Sequence, residues 1–118
     1  MAIKDIGRNN LSLNAWGTVT FTAATTASDG VAIDFKGKDH KTVILAQNGG
    51  SGSATVTVKA GNGIQGVKDL AAYTIAAGSI VAIRLDSGEF KQVTGTNKGN
   101  VVIIPSSTDV KFAAVELA

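Results

Sequence analysis

Threonine and valine take turns along this chain, and that two-residue period limits what it can fold into more than any other feature. Between Gly17 and Ala23, Val19, Phe21 and Ala23 alternate with Thr18, Thr20 and Thr22. Successive side chains of an extended backbone point to opposite faces, so the alternation describes a strand with one face buried and one wet. Val31, Ile33 and Phe35 continue the pattern against Ala32 and Asp34, and Val56 and Val58 repeat it against Thr55, Thr57 and Lys59. The apolar run from Thr42 to Ala46 reads as a central strand, and Val101 to Ile104 as a buried strand stopped by Pro105.

Turn signals separate these segments: Ser28-Asp29-Gly30, Lys36-Gly37-Lys38-Asp39, the flexible connection Asn48 to Ser53, Asp86-Ser87-Gly88, and Asn97 to Asn100. Residues 70 to 85 read as a hairpin turning at Ala77-Gly78-Ser79, and Asp86-Ser87-Gly88 leads into a strand holding Phe90 and Val93. Near the C-terminus Val110 and Phe112 occupy one phase and Val115 and Leu117 the other, which predicts a bulge at Ala113-Ala114. About nine short strands at roughly 8 to 12-residue spacing predict an all-β fold, an antiparallel sandwich or a jelly-roll-like barrel. Residues 1 to 14 have no clean period and read as an N-terminal arm, with a single β domain over 15 to 118.

Composition supports that reading. The 118 residues hold one core, and 44% apolar residues suffice to bury roughly two thirds of the unfolded surface without staples. Only 17% are charged, and there is no cysteine, which removes disulfides, thiolate nucleophiles and cysteine-ligated metals. The formal charge of +2 is a weak pull on anionic partners. The start lacks the apolar run of a signal peptide, and no stretch approaches the about 18 apolar residues of a membrane span, so a product made in the cytoplasm and kept off membranes is expected.

Several motifs invite a chemical reading. Gly61-Asn62-Gly63-Ile64-Gln65-Gly66 matches the dinucleotide fingerprint, with Asp86 at ribose distance in sequence. The strand before it carries Thr on alternate positions where a parallel central strand is apolar on both faces, and no further βα units follow. Glycine and asparagine at a turn explain it better. The loop from Asn48 has no Gly-Lys-Ser/Thr to serve a phosphate. His40, the only histidine, has Asp39 and Asp34 nearby but no second imidazole, so no metal site is expected. No Gly-x-Ser-x-Gly elbow accompanies that single base, and Asp86 and Glu89 share a turn, so neither hydrolase chemistry nor a glycosidase pair is expected. Lys36, Lys38 and Lys41 lack the interleaved aromatics of a nucleic-acid surface, because Phe21, Phe35, Phe90 and Phe112 fall at inward positions.

The amphipathic aromatics are Trp16 and Tyr73, either of which suits an interface anchor or a sugar platform. Leu11, Leu13 and Trp16 are the candidate interaction residues, with Trp16 covered by the arm or by a subunit contact. The arm either reaches a neighbour or completes the domain's own sheet.

The polar arm, the Gly/Thr/Ala-rich strands and the segment from Tyr73 to Lys91, YTIAAGSIVAIRLDSGEFK, resemble small virion proteins of tailed bacteriophages. The likeness is closest to capsid decoration or head-fibre-type proteins and spans most of residues 40 to 118. It implies a non-enzymatic β domain in the virion that binds the outside of an assembled shell, often as a homo-oligomer, and cements major capsid protein subunits. Neither cofactor, nucleic acid nor membrane is implied. A phage tail, pilus or adhesin-type domain that binds a glycan or protein surface is the competing expectation.

Overall fold

In the computed structural model the described residues are 3–35, 41–61, 69–85, 90–92 and 99–117. The chain is all-β. Its strands are β1 (Lys4–Ile6), β2 (Arg8–Asn10), β3 (Thr22–Ala23), β4 (Val31–Asp34), β5 (Thr42–Asn48), β6 (Ala54–Val58), β7 (Tyr73–Ile75), β8 (Ile80–Ile83), β9 (Asn100–Pro105) and β10 (Val110–Glu116). One sheet has the order β1-β4-β9-β6-β7, and the other β2-β10-β5-β8 with β3 also on β10. They face each other across a shared core in which Ile33, Val58, Val101 and Ile103 of the first meet Ile44, Val110 and Phe112 of the second. This is a sandwich.

Both sheets are mixed, where a purely antiparallel arrangement was expected. Residues 4–10, assigned to the arm, run as one extended segment interrupted at Gly7. Lys4–Ile6 pair parallel with Val31–Ile33, and Arg8–Asn10 pair parallel with Ala114–Glu116. The one segment therefore closes the same edge of both sheets, with Ile6 buried in the core.

The expected strand over 17–23 is reduced to Thr22–Ala23. The reason is competition for one edge: β2 already occupies β10 at Ala114–Glu116, which leaves Lys111 and Phe112 to pair with β3. No bulge divides β10. It pairs one-for-one with β5, from Val110↔Asn48 to Glu116↔Thr42. The change of phase in the sequence marks burial on both faces instead, with Ala113 and Val115 buried opposite Phe112 and Ala114.

Residues 70–85 do not form a hairpin. β7 pairs with β6 in the first sheet and β8 pairs with β5 in the second, so the turn between them crosses the sandwich. Asn48, fully buried, holds that crossing. Its Nδ2 donates to the carbonyls of Ile75 and Gly52, both at 2.9 Å, and its Oδ1 accepts from Gly50 N–H at 3.0 Å. Its backbone N–H donates to Ser79 O at 3.0 Å, and its carbonyl accepts from Gly78 N–H at 2.8 Å. Every hydrogen-bonding group of one residue thus fixes the end of β5, the following loop and the crossing. The connection from Asn48 to Ser53, expected to be flexible, is pinned by these bonds and by Gly49 N–H on Asp109 O.

Gly30 precedes β4 with a φ of 71°, and a Cβ there would collide with the Ile103 carbonyl, so the close approach of β4 to β9 requires glycine. Further along, Phe90 is buried and Lys91 bridges Val101, while Gln92 N–H and Gly99 N–H close onto Asn100 O and Gln92 O. Of the sequence features singled out, Lys36, Lys38, Asp39 and His40, the glycine motif after Gly61, the Asp86–Glu89 turn, Val93, and Asn97 and Lys98 lie outside the described residues.

Candidate interaction surface

The charged groups that come together serve the fold. Arg8 on β2 spans the closed edge, with Nη1 3.1 Å from Glu116 Oε1 on β10 and Nε 3.8 Å from Asp34 Oδ2 on β4. The Nη1 contact is an ion pair whose angle lies outside hydrogen-bond geometry. The Nε contact with Asp34 ties the two sheets across their shared edge. Lys59 Nζ donates to Asp69 Oδ2 at 2.6 Å, and Ala60 N–H donates to Asp69 Oδ1 at 2.8 Å. The Lys59 hydrogen bond, then the Ala60 N–H, holds the Asp69 carboxyl below the ordinary carboxylate range. That pair pins the approach to β7. Among the described residues no three His, Cys, Asp or Glu side chains converge, and no helix is long and apolar enough to cross a membrane.

Two apolar features remain that the fold does not use. The first is the loop after β2. Leu11 N–H donates to Glu116 O at 3.0 Å and anchors the loop's start. Gly17 sits so close that a Cβ would lie 2.7 Å from Leu11 Cδ2, so Leu11 folds back on Gly17 and closes the base. Asn14, with a φ of 59°, turns the chain at the tip. Leu13 is 80% exposed and Trp16 104% exposed. Of the three candidate interaction residues, then, Leu11 is half-buried at the base while Leu13 and Trp16 project into solvent. Within the chain Trp16 is not covered by the arm.

The second feature lies at the opposite edge. Where β7 ends one sheet and β8 the other, the sandwich gapes into a cleft of about 430 Å³, walled by Ile44, Val56, Val58, Val81, Ile83 and Phe112. Tyr73 lines it and is 58% exposed. Among the described residues neither β7 nor β8 has a strand on its outer side.

Sequence reasoning reached the loop and missed the cleft. Its walls come from strands far apart in sequence, so no local period outlines it. One signal was legible: residues 9–28, 42–58 and 70–83 carry no charged side chain. The first stretch contains the loop, and the others supply much of the cleft. Depletion of charge is a mark of interface centres.

No family model matches the chain, and neither a curated protein nor a solved structure is similar to it.

Proposed function

We propose that this chain is a non-enzymatic structural protein of a tailed-bacteriophage virion, which binds the outer surface of the capsid and stabilises it. The observation that carries the reading is the loop from Leu11 to Gly17, which holds Leu13 and Trp16 in water at the end of a braced turn. A monomeric domain gains nothing from a fully hydrated indole; an assembling one gains an anchor. The likeness of Tyr73–Lys91 to decoration and head-fibre-type proteins supplies the setting. A cement acts through many modest contacts repeated over a lattice, and a rigid sandwich whose charges are spent on its own edges suits that use.

The test has two arms. Coat, protease and portal genes should flank the gene, and the purified chain should cosediment with shells assembled from that coat protein and raise their thermal rupture temperature. Absence of cosedimentation at saturating chain defeats the reading.

A glycan-binding domain of a tail, pilus or adhesin is the second reading, favoured by the exposed rings of Trp16 and Tyr73. It predicts a glycan-array signal lost in Trp16→Ala or Tyr73→Ala, because stacking disappears with its ring.

A further inference from the structure

We propose that the chain associates head to tail with further copies of itself, the Leu13–Trp16 loop of one copy seated in the apolar cleft between β7 and β8 of the next. This goes beyond the virion reading and stands without it, since neither element involves a coat protein.

The two surfaces match in chemistry. The loop offers an indole and an isobutyl group, and the cleft offers valine, isoleucine and phenylalanine walls with a tyrosine at its mouth. The loop and most of the cleft lining belong to stretches without a charged residue, and no charged side chain lines the cleft among the described residues, so seating the loop strands no unpaired charge there. The cleft's 430 Å³ is of the size that takes up a compact ring-bearing group. Asn14 in its left-handed conformation and Leu11 on Gly17 brace the loop, so little ordering remains to oppose docking.

Position excludes the intramolecular alternative. The loop leaves β2, the outermost strand at the edge closed by Arg8, whereas the cleft opens at the other edge, between β7 and β8. A loop at one edge and a receptor at the other make a heterologous contact, which propagates until the rotation closes a ring.

Area decides what kind of assembly follows. Burying one Trp and one Leu side chain removes on the order of 350 Å² from water on the loop side. One such contact falls short of the about 800 Å² per partner of a standard interface. Each contact of a ring is equally small, but closing the ring adds one contact without a further loss of translational freedom. Isolated dimers are therefore weak, and closed rings persist.

Trp16 is the only tryptophan, so its fluorescence reports the contact directly. Light scattering of the purified chain from about 1 µM to about 1 mM, a span that covers weak association, should give a multiple of 12.0 kDa, with Trp16 emission shifting to the blue as mass rises. Trp16→Ala and Tyr73→Asp alter exposed positions at the loop and the cleft mouth, and each should weaken association at least ~30-fold, as loss of an interface anchor does. Circular dichroism of both should match the wild-type chain. Mixed in equal amounts, the two variants should form a heterodimer and nothing larger, because one keeps only a cleft and the other only a loop. The proposal is overturned by a 12.0 kDa mass at every concentration with unshifted emission, or by association that survives either substitution. Failure of the mixture to pair at about 1 mM, a concentration that populates even a weak single contact, overturns it too, since a symmetric loop-to-loop contact behaves that way. All these measurements omit the coat protein, so their failure leaves capsid binding to its own test.

Discussion

The two edges of this sandwich are finished in opposite ways. At one, a single segment adds a strand to each sheet, places Ile6 in the core and sets Arg8 between Glu116 and Asp34. At the other, β7 and β8 are the last strands of their sheets among the described residues, and an apolar cleft reaches in to core residues such as Ile44 and Phe112. Both edges face the same hazard, a row of unpaired backbone groups beside a hydrophobic interior. One is sealed by charge and chain continuity; the other is left open. Under the self-association proposed above, the open edge is the one that receives the loop of the next copy.

The sharpest way to break this contrast is to remove the seal. Deletion of residues 1–10 should cost about 5 kcal/mol, from the lost burial of Ile6 and from two carboxylates left without their guanidinium. Urea unfolding measures it, and a midpoint equal to that of the full chain would show that the N-terminal strands do not close the edge. Next in size, Asn48→Ala should destabilise by about 2–4 kcal/mol, because the buried Ile75 carbonyl loses a donor at the crossing that supports the open edge. Calorimetry should place this loss well above that of any substitution in the solvent-exposed loop.

Filling the open edge sharpens the comparison in the other direction. Ala46→Val adds two methyl groups to the cleft wall and should stabilise the chain by about 0.5–1 kcal/mol while narrowing the cleft. A destabilised variant would mean that the wall is already packed. The smallest effect belongs to Asp69→Asn. The folded carboxyl is held below its ordinary pKa by Lys59 and the Ala60 N–H, so its stabilisation is complete above the unfolded value and fades as pH falls through the folded one. With 38% of the side chain exposed the effect is slight. Unfolding midpoints of the two proteins should differ a little at neutral pH and converge in acid.

Much of the fold was legible because alternation is a local property. The inward set Val31/Ile33 follows from alternation, and the buried strands β5 and β9 follow from their apolar runs, though which residues of those runs face the core does not. What failed was pairing. Nothing within residues 70–85 says that β7 and β8 belong to different sheets; that depends on Asn48, which the sequence presents as one more loop asparagine. Likewise, Val19 and Phe21 alternate as well as any strand, but the edge they would join is occupied by β2. In β10 a phase shift that suggests a bulge results from small residues that fit on either face of a central strand. The loop residues Leu13 and Trp16 were readable as unusual apolar groups in a polar setting. The cleft was not, since it exists only after six strands have come together.

The position of β10 bears on how the chain is made. Asn9 Nδ2 donates to the carbonyl of Ala114, a partner 105 positions away, and β2, β3 and β5 all pair with the same seven-residue strand. Until residues 110–116 leave the ribosome, the second sheet has no centre and its N-terminal strand has nowhere to dock. A nascent chain halted earlier must wait with its hydrophobic side chains uncovered, and acquisition of the native state should be slow and late, as for other topologies built on distant pairings.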